Sequence, residues 1–395
     1  IELFDIFAIS GKLKAYRKLT KGDNFMIQFQ NKRLFFAAFL LFFSVLLTGC
    51  ASKEEKAIRQ TISSELDHLV SPDATQINTY LSFQLLFPDA QQDDSSDLDP
   101  SITEIFTEFY KNFSYKISEV SYDDKSASAD VIIHNLDTHA LAKDYAIAAL
   151  KKRIEGDANP SQVDFSLSDS YLLLDKTLKN HDYKQVESDI KVQLKKKNNV
   201  WEIVEDTDFD NELSGNFLTY MSDSNLLSPK QVVKIHFDTI KKFDAEQLNR
   251  YLSLDSLLNT DNTYTSSIAH ALAEQIHKSF DYKIKSDSVE NNSAKVMVKI
   301  TSTDFTSILE TYQKQISEWV QSSDALEAGL LGRHEKGREF LLKSIQDNTA
   351  TTSETVEISL TNDGTSWKMQ MDQNLAQAIL GGVSSTLADV QEDVE

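Results

Sequence analysis

Several residue types are scarce, and each scarcity closes off a class of function. One cysteine in 395 residues excludes a disulfide framework, a cysteine zinc site and a thiol redox pair. Basic residues are in deficit: 40 Lys and Arg stand against 61 Asp and Glu, a net charge of −21. Nucleic-acid phosphates would repel such a chain. Glycine (11) and proline (5) are few, while 41% of the residues are apolar, too many for a chain disordered throughout. The length suits two ordinary domains. The long apolar run, Leu34–Leu47, has 14 residues, short of the roughly 20 that a helix needs to span a bilayer.

That run has a meaningful setting. The first methionine is Met26, and Lys32 and Arg33 precede the apolar stretch, which ends in Leu47-Thr48-Gly49-Cys50. A basic start, a short apolar core and small residues at its end are the parts of a secretory signal. The tetrapeptide resembles the lipobox of bacterial lipoproteins, and Cys50 is the lone cysteine. The resemblance implies cleavage between Gly49 and Cys50 and a diacylglyceryl thioether on the Cys50 thiol. Residues 1–25 are then expected to be translated from upstream of the real start, and 26–49 to be the signal peptide. Two acyl chains anchor stably where one binds only reversibly. Residues 1–49 hold 7 basic and 3 acidic side chains, so the mature chain keeps 33 and 58, a charge of −25. Lipid, not electrostatics, would hold it to the extracytoplasmic face of the cell membrane. Residues 50–56 form a lipidated tether reaching under about 20 Å, which keeps any partner membrane-proximal.

The remainder is a duplication. Asp73-Ala74-Thr75-Gln76-Ile77-Asn78-Thr79-Tyr80-Leu81-Ser82 returns as Asp244-Ala245-Glu246-Gln247-Leu248-Asn249-Arg250-Tyr251-Leu252-Ser253, with seven of ten positions identical. Phe113-Ser114-Tyr115-Lys116-Ile117 returns as Phe280-Asp281-Tyr282-Lys283-Ile284, and the register holds to Asp137 and Asp304. Ile190, Val192, Leu194, Trp201 and Gly215 match Val356, Ile358, Leu360, Trp367 and Gly381. A period near 167 residues is too long for a solenoid, so each copy should fold as its own domain. Repeat 1 is placed at 57–220, a linker at 221–228, repeat 2 at 229–388 and an acidic tail at 389–395. Ser228-Pro229-Lys230-Gln231 reads as a capping box opening the second repeat.

Each copy starts with helical periodicity: Ile58, Ile62, Leu66 and Leu69 in one, Val233, Phe237, Ile240 and Phe243 in the other. Ile105, Phe106, Phe109 and Phe113 continue the inward face of the first copy. Period two follows: Ala127, Ala129, Val131 and Ile133 alternate with Ser128, Asp130, Ile132 and His134, and Ala294, Val296, Val298 and Ile300 with Lys295, Met297, Lys299 and Thr301. A helical pair (about 138–178 and 304–347), a second hairpin and a closing helix complete each copy. The expected fold class is α+β: two homologous domains, each a four-stranded antiparallel sheet packed on one face by helices, with the helical pair between strands 2 and 3. The lipobox, the repeated decapeptide and this element order are similar to tandem nuclear-transport-factor-like or cystatin-like domains in lipoproteins of unknown function from low-GC Gram-positive bacteria. That likeness implies no catalytic residues.

The chain's own residues point to no chemistry either. The eight histidines, His68, His134, His139, His181, His236, His270, His277 and His334, form no His-Glu-x-x-His, and they read as surface side chains. His270 and His277 share a helix face without a third ligand. No Gly-x-Ser-x-Gly elbow exists. Gly332-Arg333-His334-Glu335-Lys336-Gly337-Arg338-Glu339 has the glycine spacing of a phosphate loop without its Lys and Ser/Thr, and reads as a break between helices. Asp206, Asp208 and Asp210 begin like a calcium loop, but Asn211 and Phe217 stand where Gly and Glu are needed, so a solvated helix start is expected. Asp93–Asp99 reads as an acidic surface loop. Trp201 and Trp367 read as core. Tyr115 and Tyr282 are the matched polar candidates for a cavity, and core packing explains them better.

The expectation is a non-enzymatic, membrane-anchored extracellular lipoprotein, with no cofactor and no metal, that binds a protein or envelope partner at the membrane–cell wall interface. The alternative is a small-ligand carrier or enzyme using a cavity between sheet and helices. A solute-binding lipoprotein with two parallel-sheet lobes fits the hairpin pattern poorly.

Overall fold

The computed structural model describes residues 52–71, 100–159, 166–257 and 263–382. Cys50, Gly49, the signal segment, Asp73–Ser82, Asp93–Asp99 and the acidic tail lie outside them. The chain divides into two compact units, Ile1–Lys56 and Ala57–Glu395, and both repeats belong to the second.

Repeat 1 begins with α1 (Lys53–Val70), which buries Ile58, Ile62, Leu66 and Leu69 on one stripe. Then come α2 (Pro100–Phe109), β1 (Ser114–Tyr122), β2 (Ser126–Leu136), α3 (Thr138–Asp157), α4 (Leu167–Asn180), β3 (Gln185–Lys197), β4 (Val200–Ile203), α5 (Thr207–Leu213) and α6 (Phe217–Met221). The strands lie in the order β1-β2-β3-β4, every neighbour antiparallel. Local chemistry sets the turns. Asp123 accepts hydrogen bonds from the backbone of Lys125 and Ser126, both at 2.7 Å, closing the first hairpin. Those bonds hold its carboxyl below the usual range. Asn198 and Asn199 take the left-handed φ values, 49° and 70°, that a two-residue hairpin requires.

Repeat 2 has the same plan: α7 (Pro229–Ile240), α8 (Ala245–Tyr251), α9 (Leu254–Leu257), α10 (Thr263–Ser279), β5 (Asp281–Glu290), β6 (Ser293–Thr303), α11 (Phe305–Val320), α12 (Ser323–Glu327), α13 (Gly329–Gln346), β7 (Thr351–Asn362), β8 (Trp367–Met369) and α14 (Gln373–Ile379). Its sheet order is β5-β6-β7-β8. Ser228 and Gln231 form the reciprocal capping box in front of α7, with Pro229 in the first turn. The architecture is α+β, two four-stranded antiparallel sheets, each packed with helices, and helices inserted between the second and third strand of each. Even the irregularities match: β1 and β5 both slip register, at Ile117/Val120 and Ile284/Ser286.

One expectation fails. The Gly332–Glu339 stretch is no break; it lies inside α13. α13 packs on α11 at Gly337, where a Cβ would make only ordinary contact with the Tyr312 hydroxyl at 3.5 Å, whereas at Gly332 it would stand 2.9 Å from the Ala328 Cβ. The chain breaks earlier, at Gly329, whose φ is +60°.

One face of each sheet builds a core. Val131, Ile133, Ile190, Val192, Leu194 and Trp201 meet the helices of repeat 1, and Val296, Val298, Ile300, Ile358, Leu360 and Trp367 those of repeat 2. The two cores meet through α3. Its last turns carry Ile154 and Ala158 into the second core, beside Val232 and Val233 of α7. Arg250 of α8 donates from Nε to the Ala158 carbonyl at 2.7 Å. The linker is docked as well: Asn362 donates to the Ser224 carbonyl (3.1 Å) and Trp367 Nε1 to Asn225 Oδ1 (3.1 Å). This apolar junction is not repeated outward. Ser317 of α11 and Gln321 at its C-cap occupy the positions of Leu150 and Ile154 by sequence offset, and Thr61 and Ser64 of α1 those of Val232 and Ile235. Among the described residues the core side chains fall between Ile58 and Leu380, so a chain starting at Ser52 keeps all of these.

Candidate functional site

The first strands hold the matched tyrosines half-buried, with their hydroxyls on carboxylates of the opening helices. Tyr115 donates to Asp67 Oδ1 at 2.7 Å, and Tyr282 to Asp238 Oδ1 at 2.5 Å. Burial pushes both phenols up, and the neighbouring aspartate adds to it. A phenol held in this way ties strand to helix and is poorly placed to act as an acid. Trp201 and Trp367 are buried in their respective cores as expected.

The closing helices are fastened by a matched device. Asn135 at the end of β2 donates to the Leu213 carbonyl at 3.2 Å, and Ser302 at the end of β6 to the Ile379 carbonyl at 2.6 Å. Behind each carbonyl the chain turns left-handed, at Gly215 (φ +65°) and Gly381 (φ +63°). Hydrogen bonds from Asn216 to Asn211 and from Gly382 to Gln377 close the two helix ends.

The histidines are scattered. His134 lies 3.2 Å from Glu187 across β2 and β3, and His270 lies 3.6 Å from Glu274 on α10. His68, His139, His277 and His334 are exposed. His236 overturns the surface reading: it is largely buried on α7 and hydrogen-bonded to the Tyr251 hydroxyl. Desolvation lowers its pKa to about 4, so it is neutral at pH 7. The missed signal was local. Val232, Val233, Ile235, Phe237, Thr239 and Ile240 leave α7 apolar on two faces, one for its own core and one for α3.

Asp206 is the N-cap of α5, accepting from the Phe209 backbone at 2.9 Å, the expected helix start. Asp210 stands one turn on, and burial, then Glu205, Asp206 and Glu65, pushes its pKa up to about 6. Burial and Glu205 raise Glu65 too, against the opposing pull of His68. Among the described residues no group of three or more His, Cys, Asp or Glu side chains is arranged to hold a metal ion. Near this cluster Tyr110 is fully buried with no hydrogen-bond partner for its hydroxyl. Its ring makes edge contacts with Phe109 (4.9 Å) and Phe113 (5.7 Å). Tyr110→Phe keeps those contacts and removes a stranded hydroxyl, so urea unfolding should show a gain of about 1 kcal/mol. A loss would mean that the hydroxyl has a partner in solution.

A cleft of about 260 Å³ lies at the end of repeat 1. Glu108, Phe109 and Lys111 at the end of α2, Leu136 of β2 and the α4–β3 connection around His181 and Tyr183 line it. Lys111 pairs with Glu108 at 3.0 Å, and the Tyr183 hydroxyl donates to Asp144 at 3.1 Å. The His181 and Tyr183 rings lie 5.9 Å apart. The cleft holds no nucleophile beside a base and is smaller than the roughly 300 Å³ where ligand sites begin.

No family model matches the chain, and no curated protein matches it. A solved structure of the candidate lipoprotein YcdA from Bacillus subtilis aligns over 68% of this chain and 96% of that one, with 12% identity and a TM-score of 0.26. Agreement at that level carries no argument about fold or function.

Proposed function

We propose that this chain is a lipid-anchored, non-enzymatic lipoprotein of the extracytoplasmic membrane face, whose two fused repeats bind a partner at the membrane–cell wall interface. The observation that carries the reading is Leu47-Thr48-Gly49-Cys50 closing a 14-residue apolar run behind Lys32 and Arg33, with the only cysteine in the chain at its end. The interior is consistent with it: side chains such as Val131, Ile190, Val298 and Val356 are buried between each sheet and its helices. Among the described residues no helix is long and apolar enough to cross a membrane, so a diacylglyceryl group on Cys50 is what this reading needs for attachment. The likeness to nuclear-transport-factor-like or cystatin-like domains belongs to the same proposal and rests on the lipobox, the repeated decapeptide and the element order.

The test is Cys50→Ala with metabolic lipid labelling and membrane fractionation. The wild-type chain should be labelled and sediment with membranes, and the variant should lose both. A variant that stays labelled and membrane-bound overturns the reading. The second reading, a small-ligand carrier, rests on the 260 Å³ cleft, and a ligand whose binding survives substitution of His181 and Tyr183 would count against it.

A further inference from the structure

The three most exposed large apolar side chains among the described residues sit within six positions: Leu326 (78%), Leu330 (73%) and Leu331 (80%). Val320, at the end of α11, is half exposed as well. They cap the turn where α12 passes into α13. At its centre Gly329 has nothing within 4 Å of where a Cβ would stand, so the feature is a protruding tip and not a groove. At its base Trp319 and Phe340 form a half-buried edge-to-face pair with ring centroids 6.4 Å apart. Lys336 lies over the Phe340 ring at 5.0 Å. Arg333 donates from Nε to the Ala325 carbonyl at 3.0 Å, which fastens the first turns of α13 to α12. That bond joins the two helices of the tip, whose leucines face solvent.

The geometry points to this tip as a membrane-inserting wedge, its occupant the interfacial region of a lipid bilayer. Shape separates a bilayer from a second copy of the chain. Four aliphatic side chains on a convex tip cannot supply the roughly 800 Å² a side of an ordinary stable protein interface, whereas a lipid surface needs no complementary shape. Charge agrees. The chain carries −21 overall, but residues 323–343 hold Asp324, Glu327, Glu335 and Glu339 against Arg333, Lys336, Arg338 and Lys343. This neutral end can approach an anionic surface that repels the rest. Along α13, Lys336 and Arg338 follow Leu331 by roughly 8 to 10 Å. That spacing matches the depth to which an interfacial apolar face sinks, so the cations meet headgroups as the leucines meet acyl chains. Trp and other aromatics favour the same boundary.

The test uses the chain from Ser52 onward, which lacks Cys50, so a failure of lipid anchoring cannot be mistaken for a failure of the wedge. It is floated with vesicles of phosphatidylcholine and phosphatidylglycerol. The wild-type chain should co-float and keep doing so at high salt. Leu330→Glu with Leu331→Glu should weaken vesicle binding by at least about tenfold, the scale of one buried leucine. Both positions are solvent-exposed, so far-ultraviolet circular dichroism and the melting temperature should not change. A Leu331→Trp variant should be quenched by lipids brominated on their acyl chains. Three results would overturn the proposal: no flotation of the wild type, flotation indifferent to the two glutamates, or a concentration-dependent dimer that the glutamates abolish, which would make a second copy the occupant.

Discussion

Gly381→Ala is expected to unfold repeat 2 under mild conditions, while Gly215→Ala at the matched position of repeat 1 should be tolerated. Both glycines end the closing helix in a left-handed conformation, which by itself costs about 1–2 kcal/mol for alanine. The surroundings then decide. At Gly381 the new Cβ would stand 1.8 Å from the Thr303 carbonyl oxygen. That oxygen belongs to the buried end of β6, so the clash can be relieved only by moving backbone. At Gly215 the nearest atom is the Thr138 hydroxyl at 3.1 Å, a side chain that can shift by a few tenths of an ångström. The first substitution should therefore cost at least about 4 kcal/mol, in the range of strained or clashing core changes, and the second about 1–2. Urea titration of both variants checks this, and equal losses would mean that conformational strain alone, not the contact with Thr303, sets the cost.

Acid should loosen the packing around α7 through His236. An unfolded histidine titrates near 6.5, and burial lowers the native pKa to about 4. Between those values the unfolded chain binds a proton that the native state refuses, so stability falls as pH drops from 6.5 to 4. A shift of that size corresponds to about 3 kcal/mol. His236→Gln can keep a hydrogen bond to the Tyr251 hydroxyl and cannot titrate, so its stability should lack this loss. Asp210 works in the opposite direction. Its native pKa, about 6, lies above the unfolded value, so protonation stabilises the fold as pH falls through 6 toward 4. The wild type alone would show the sum. The difference between wild type and His236→Gln, followed by urea unfolding from pH 7 to pH 4, isolates the histidine. Parallel curves would show that His236 is accessible to protons in the native state.

Cys50 stands apart from these arguments, because the role proposed for it rests on a local motif, Leu47-Thr48-Gly49-Cys50, rather than on packing. The same locality made much of the fold legible. Ile58, Ile62, Leu66 and Leu69, the alternation of Ala127 through Ile133, and the Ser228–Gln231 box each declare an element within a dozen residues. The duplication then states the pattern twice, and the two sheets, the inserted helices and the inward tryptophans follow from it. Asp206 as a helix cap was readable for the same reason, since capping joins residues three apart.

What the sequence could not show depends on residues brought together from far away. The sequence reads residues 138–178 only as helical, and the fold alone shows that Ile154 and Ala158 enter the other repeat's core. His236 reads as a surface histidine until the fold brings the Tyr251 ring and hydroxyl of α8 against it. The glycines of residues 332–337 suggest a break, yet both lie inside α13, which packs on α11. Leu326, Leu330 and Leu331 are ordinary core residues by type, and only the fold shows that nothing in the described chain covers them. Periodicity, capping and motif are local and so were determined by the sequence itself; burial, proton affinity and exposure are set by which distant surfaces meet, and the tertiary structure alone decided those.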